Sequence, residues 1–146
     1  MNLDVALVPH GQLTRVIPTI TQHLVKSELW TGGRASIDDI VGFLYQGRMN
    51  LWLVYEPTSF ESYGYVITEV KDYPKSKMLV CQYTAGRTNH MRYVEDKIHA
   101  ILESFARDAG CAGIEFYGRP GWQPHARKHG YQSKAIVYEK FFGGES

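Results

Sequence analysis

The sequence predicts one α/β domain built on a mixed β-sheet with flanking helices, and three observations lead to that prediction. Its 146 residues suit a single domain. Hydrophobic residues make up 44% and charged residues 21%, which is enough for a core beneath an ordinary globular surface. Short aromatic and β-branched runs also alternate with segments of helical periodicity, which is the pattern of α/β folds.

The chain begins with two predicted helices. Apolar residues at helical spacing predict the first helix over 13–29. Gly32 and Gly33 then break the pattern. Ser36 is expected to cap the second helix, and Asp39 completes a looser form of the capping box.

Three strands with short connections follow. The runs 51–55, 63–70 and 78–83 are rich in aromatic and β-branched residues and are separated by polar turns. Strands joined by short turns pair antiparallel, so these runs predict a meander.

The most regular helical pattern covers 90–109, with Thr88 or Asn89 as its cap and Gly110 as its stop. The run 112–117 then reads as another strand. Because a strand, a helix and a strand in succession form a β-α-β unit, the two strands should be parallel neighbours with the helix packed across them.

Two further elements complete the predicted order. A short helix is expected over 123–129, stopped by Gly130, and a last strand over 135–142.

Charge and hydropathy exclude several classes of partner. The 16 basic residues against 15 acidic ones give a net charge of +1, which argues against a general nucleic-acid binder. No apolar run approaches the ~20 residues that span a bilayer, and the start lacks the basic region of a signal peptide. Cys81 and Cys111 lie in apolar segments and are predicted to be buried free thiols, which favours a cytoplasmic location.

Histidine and aromatic residues are weaker signals. His125 and His129 would share a helix face, but no third ligand is placed nearby, so no metal site is expected. The 10 tyrosines could stack nucleobases. Because the chain has no excess of basic residues, packing in the core or at an interface is the preferred interpretation. Exposed aromatic residues would also fit a homo-oligomer or another partner surface.

The predicted ligand site lies at the carboxyl ends of the two parallel strands, where β-α-β units bind ligands. This edge contains the segment 84–89, which precedes the long helix, and the residues after 112–117. The residues predicted to bind a ligand there are Gln82, Tyr83, Thr84, Ala85, Gly86, Arg87, Thr88, Asn89 and Arg119.

An anion is the ligand class that this edge would suit. A helix start carries roughly half a positive charge and free N–H groups, and a glycine at 86 would let a phosphate approach the backbone. Arg87 and Arg119 would add two positive charges. Alternatively, Gly86 makes only a tight turn and both arginines are solvated. On the first interpretation, Gly86→Val weakens ligand binding and leaves the fold intact.

Over residues 3–142 the order of elements resembles the GNAT acyltransferase family. In that family the loop after the fourth strand reads Gln/Arg-x-x-Gly-x-Gly/Ala and holds the pyrophosphate of an acyl-coenzyme A. Here the corresponding run is Tyr83-Thr84-Ala85-Gly86-Arg87-Thr88. The stretch Gly118-Arg119-Pro120-Gly121-Trp122 is similar to one in small phage-borne relatives, which would place the protein in a host cytoplasm or a virion.

The sequence departs from the family pattern at three positions. Tyr83 replaces the Gln or Arg, and Thr88 replaces the second small residue of the loop. Many members also use a tyrosine four residues before a closing Gly-Phe as the acid for the leaving thiolate, and Ala126 occupies that position here.

The resemblance implies transfer of an acetyl or other acyl group from coenzyme A to an amine, which needs a base and an acid. Glu69 is the candidate base, and Tyr117 and His125 are the candidate acids. Backbone N–H groups near Gln82 and Tyr83 would polarise the thioester carbonyl. Alternatively, Glu69 is a solvated strand carboxylate and Tyr117 a core aromatic.

Two functions therefore remain open. The first is an acyl-coenzyme A-dependent N-acyltransferase whose amine acceptor the sequence does not identify. The second is a protein of the same shape that has lost catalysis and serves as a binding, virion-assembly or anti-host module with a protein partner.

Overall fold

The computed structural model describes residues 2–87, 90–118 and 122–143. The chain divides into two compact units, Met1–Phe116 and Tyr117–Ser146.

The first unit is built on one five-stranded sheet with the order β1-β2-β3-β4-β5. Its strands are β1 (Asp4–Leu7), β2 (Asn50–Tyr55), β3 (Ser62–Asp72), β4 (Lys77–Gly86) and β5 (Gly113–Phe116). The first three pairings are antiparallel and the pairing of β4 with β5 is parallel, which confirms the predicted meander and β-α-β unit.

Three helices of the first unit cover the sheet: α1 (Leu13–Trp30), α2 (Ile37–Tyr45) and α3 (Glu95–Asp108). The predicted capping box of α2 is confirmed, because Ser36 Oγ accepts from the Asp39 amide at 3.1 Å and Asp39 Oδ2 accepts from the Ser36 amide at 2.9 Å. Gly110 follows α3 with a φ of 78°, a conformation that favours glycine and ends the helix as predicted.

The two faces of the sheet carry separate cores. On one face, α3 packs on the sheet through Leu102 and Ala106, and the ring of Phe105 meets Trp52 edge-on at 5.1 Å. On the other face, α1 and α2 pack against β2 and β3, with Leu24 and Ile40 fully buried. Burial on both faces makes the sheet the rigid part of the unit.

Three larger differences from the sequence prediction lie in the first unit. β1 was missed, because four residues whose partner strand lies far along the chain leave little local signal. β4 extends through Gly86, because antiparallel pairing with β3 continues three residues into the predicted loop 84–89. The predicted helix start is wrong: 91–93 form a 3-10 turn, and α3 is capped by Val94 without a side-chain bond. The predicted caps Thr88 and Asn89 lie outside the described residues.

The second unit contains α4 (Gln123–Lys128), and Gly130 ends it with a φ of 86°. The predicted strand over 135–142 is wrong, because no strand forms there. The β-prone side chains of Ile136, Val137 and Tyr138 are instead exposed. Strand propensity is realised only when a partner strand supplies the ladder, which a local pattern does not reveal.

Both cysteines are free thiols, as predicted, and each is partly buried. Burial raises the pKa of Cys81 to about 12, so this thiol stays protonated and unreactive at neutral pH. Among the described residues, no helix is long and apolar enough to cross a membrane.

His23 is a buried titratable group in α1, with 6% of its surface exposed. Within the described part of the chain its Nε2 atom has no hydrogen-bond partner. Burial lowers the pKa of His23 from its ordinary value of 6.5, and the nearby charges of Lys26 and Arg87 lower it further. His23 therefore binds a proton less readily in the folded protein than in the unfolded chain.

We predict that the free energy of unfolding falls as the pH drops below about 6.5, with a slope of at most about 1.4 kcal/mol per pH unit from this group. His23→Leu should remove this part of the dependence, while substitution of the exposed His10 by Gln should not. Urea denaturation between pH 5 and 8 measures it, and parallel curves for wild type and His23→Leu would contradict the assignment.

Candidate active site

Strand β4 continues beyond the end of its parallel neighbour β5. The two strands pair from Met78 with Gly113 to Cys81 with Phe116, where β5 ends. β4 continues to Gly86, still paired with β3. Among the residues that the structure describes, the backbone groups of 82–86 that point away from β3 have no strand partner, and they line the edge where an α/β ligand site is expected.

A β-bulge lies on β4 where its pairing with β5 ends. Ile67 pairs with Tyr83, but Thr68 pairs with Cys81, so Gln82 is an extra residue on β4 without a partner on β3. Bulges bend a strand and redirect a side chain, and they are frequent next to active sites. Here the Gln82 side-chain amide donates to Glu69 Oε1 at 3.1 Å.

Glu69 is buried on β3, with 8% of its surface exposed, and both of its carboxylate oxygens are engaged. Oε1 accepts the bond from Gln82, and Oε2 accepts from Arg48 Nε at 3.0 Å. The alternative of a solvated strand carboxylate is therefore wrong. A carboxylate held at both oxygens has a fixed direction, as a positioned base requires.

Tyr83 completes this cluster. Burial raises the pKa of its phenol above the ordinary value of 10, the carboxylates of Glu69 and Asp39 raise it further, and Arg48 opposes them. The phenol therefore keeps its proton at neutral pH and is available as a hydrogen-bond donor. The structure thus brings Glu69, Gln82 and Tyr83 together.

Arg87 is already paired in the structure. Its guanidinium donates to Glu61 Oε1 at 2.5 Å and lies 4.0 Å above the ring of Tyr63. The hydrogen bond that Arg87 donates to Glu61 raises the pKa of the guanidinium above its ordinary value. Its backbone N–H donates to the Tyr63 carbonyl at 2.9 Å. The guanidinium and the backbone N–H of Arg87, which the sequence suggested as phosphate ligands, are therefore already bonded to other groups of the protein.

Gly86 is required by packing. It pairs with Gly64, and its backbone is not in the left-handed region. A Cβ atom at Gly86 would lie 2.7 Å from Met91 Sδ and 2.9 Å from the Tyr63 carbonyl oxygen. The expectation that a side chain at 86 would leave the fold intact is therefore wrong, since a backbone atom would have to move.

The remaining predicted site residues belong to the second unit, lie on β4 or fall outside the described residues. Tyr117 and His125 belong to the second unit, where Tyr117 is 63% exposed and the ring of His125 lies 5.2 Å from that of His129. The alternative of Tyr117 as a core aromatic does not fit this exposure. Thr84 and Ala85 are half-buried strand residues of β4. Thr88, Asn89 and Arg119 lie outside the described residues.

Sequence reasoning missed Arg48. It follows α2 in a turn, with Gly47 at a φ of 74° before it. The 21 positions that separate Arg48 from Glu69 form no motif, so only the pairing of β2 with β3 reveals their contact.

The chain is similar in structure to several acetyltransferases. It matches a GCN5-related N-acetyltransferase from Ralstonia eutropha with a TM-score of 0.70 and 12% identity, over 97% of this chain and 100% of the other. A glucosamine-6-phosphate N-acetyltransferase from Arabidopsis thaliana matches with a TM-score of 0.67 and 12% identity, over 97% of this chain and 99% of the other. A predicted acetyltransferase with acetyl-CoA from Clostridium acetobutylicum matches with a TM-score of 0.68 and 12% identity, over 96% of each chain.

These likenesses show that the protein has the GNAT-type acyltransferase fold, a mixed sheet with flanking helices. No family model matches the chain, and no curated protein is significantly similar to it in sequence.

We predict that Gly86→Ala destabilises the fold by about 1–3 kcal/mol, because the new Cβ overpacks against Met91 and a backbone carbonyl. Gly42→Ala is the matched control, since a Cβ there meets nothing within 4 Å and the residue lies in a helix. Thermal denaturation of both variants and the wild type measures the effect. Equal midpoints for Gly86→Ala and wild type would contradict the prediction, because they would show that the end of β4 accommodates a Cβ atom without loss of stability.

Proposed function

We propose that this protein is an acyl-coenzyme A-dependent N-acyltransferase that moves an acetyl group to an amine. The observation that carries the proposal is that β4 continues beyond the end of β5 from the Gln82 bulge, directly beside the buried carboxylate of Glu69. The fold, shared with acetyltransferases over nearly the whole chain, supports it.

The edge of β4 beyond the end of β5 fits the acyl-bearing arm of the co-substrate. Backbone N–H groups of 82–86 that point away from β3 are available to an extended ligand, as in the addition of a strand to a sheet edge. An N–H directed at the thioester carbonyl would stabilise the charge that develops on its oxygen. Bound coenzyme A would supply the activated acyl group and a thiolate leaving group.

The proposed chemistry is direct attack. The amine nitrogen forms a bond to the acyl carbon, the carbon–sulfur bond breaks, and the electron pair leaves with sulfur. Glu69 accepts the amine proton, because its carboxylate is held in one direction by Arg48 and Gln82. A proton returned to sulfur completes the balance, with the protonated Tyr83 as the candidate donor.

A non-catalytic binding module is the second candidate, and the phosphate end of the site favours it. Arg87 is paired with Glu61, and its amide is bonded to Tyr63. The first turn of α3 also carries Glu95 and Asp96, whose charges oppose an anion at that helix start. On this proposal the shape is kept for binding a protein partner.

The free thiols Cys81 and Cys111 support a cytoplasmic location for either function, since a reducing compartment keeps cysteines unpaired.

Binding of acetyl-coenzyme A separates the two candidates. At 100 times its dissociation constant it should stabilise the fold by about 2.7 kcal/mol. Thermal denaturation with and without the ligand measures the shift, and ATP, an adenine nucleotide without the pantetheine arm, is the control. No shift with acetyl-coenzyme A, or an equal shift with ATP, would remove the acyltransferase proposal.

We predict that Glu69→Gln lowers the rate of acetyl transfer at least ~100-fold, because the amide cannot take the amine proton. The thermal shift with acetyl-coenzyme A should remain. Release of free thiol over a panel of amines measures the rate, and Glu103→Gln, an exposed carboxylate of α3, is the matched control. An unchanged rate would show that Glu69 has a structural role only.

A further inference from the structure

The backbone of Arg48 is fixed by the turn that ends α2. The amides of Arg48 and Met49 both donate to the carbonyl of Phe43, at 3.0 and 3.2 Å, and the amide of Gly47 donates to Leu44. Gly47 adopts a φ of 74°, which makes this tight turn accessible. The side chain of Arg48 therefore leaves the backbone from a defined point.

The guanidinium is held in one orientation. Its central carbon lies 4.3 Å from the centre of the Phe43 ring, and its Nε donates to Glu69. The contact with the Phe43 ring and the bond to Glu69 together restrict the orientation of the group. Even so, 52% of the Arg48 side chain is exposed, against 10% for Glu69.

The ion pair uses only one donor of Arg48. Within 2–87, 90–118 and 122–143, neither Nη group of Arg48 donates a hydrogen bond. The Oδ2 atom of Asp39, a carboxylate whose charge acts on the Tyr83 phenol as that of Arg48 does, accepts from the backbone of Ser36 rather than from Arg48. An arginine kept only to neutralise Glu69 would gain most from a two-donor contact, which would engage an Nη group as well.

We propose that Arg48 is the residue that selects the acceptor, by binding an anionic oxygen group, a carboxylate or a phosphate, close to the reactive amine. This proposal rests on the proposed function, since it takes Glu69 as the base for that amine. With Nε on Glu69, the Nη groups present parallel donors that match two oxygens of one anionic group. An acceptor bound there has its amine and its anionic group only a few bonds apart.

The test is a binding titration of the protein with three two-carbon amines. Ethanolamine carries no anionic group, glycine carries a carboxylate, and phosphoethanolamine carries a phosphate. The protein is saturated with coenzyme A, and the side-chain Nε–H resonance of Arg48 is followed, assigned by its loss in Arg48→Lys. We expect glycine or phosphoethanolamine to bind at least ~tenfold tighter than ethanolamine, and the tighter of the two identifies the anion.

Arg48→Met should reduce that preference to about twofold or less. Arg48→Lys should keep part of the preference, because lysine retains the positive charge but lacks the planar guanidinium. Arg92→Met is the matched control, since Arg92 also lies over an aromatic ring, that of Tyr93 at 5.1 Å, but on the α3 side of the chain. It should leave the preference unchanged.

Other results overturn the proposal. Equal affinity for the three amines, no shift of the Arg48 resonance with any of them, or a preference that survives Arg48→Met would each show that Arg48 only supports Glu69. Failure of the proposed function is distinguishable, because it appears as the absence of coenzyme A binding before any amine is added.

Discussion

The site depends on one constraint on β4, which must pair with two strands over different lengths. It stays bonded to β3 up to the pair Gly64–Gly86, but it leaves β5 after Cys81. Two glycines at that pair let the strands and Met91 approach closely, as the 2.7 Å Cβ contacts at each glycine show. The end of β4 is thereby a rigid strand edge with open backbone groups, which is unusual because sheets normally close or protect such edges.

The polar cluster beneath that edge is the second constraint. Burying the carboxylate of Glu69 costs free energy, which the bonds from Arg48 and Gln82 offset. Gln82 reaches Glu69 from the bulge, so the same irregularity of β4 that lies at the end of its pairing with β5 also orients the candidate base. The unpaired edge of β4, the bulge and the buried carboxylate are therefore parts of one arrangement, and we infer that binding and chemistry would share it.

Much of the fold could be predicted because its signals are local. Helical periodicity, the capping box of Ser36 and the β-α-β order each depend on residues close in sequence, and the structure confirms them. The site was predicted less well, because its contacts are distant in sequence. Three features depend on which segments pair in space. They are the bond from Arg48 to Glu69, the need for glycine at 86 and the absence of a strand over 135–142.

Hydrogen exchange of the amides in 82–86 tests the central claim most directly, because these amides form the open edge of β4. The account predicts that acetyl-coenzyme A slows exchange at least ~tenfold for those that point away from β3, through new hydrogen bonds to the ligand. Amides in the pairing of β1 with β2 should keep their rates, since they lie at the far side of the sheet. Binding of acetyl-coenzyme A without any protection of 82–86 would contradict the account and place its site elsewhere on the protein.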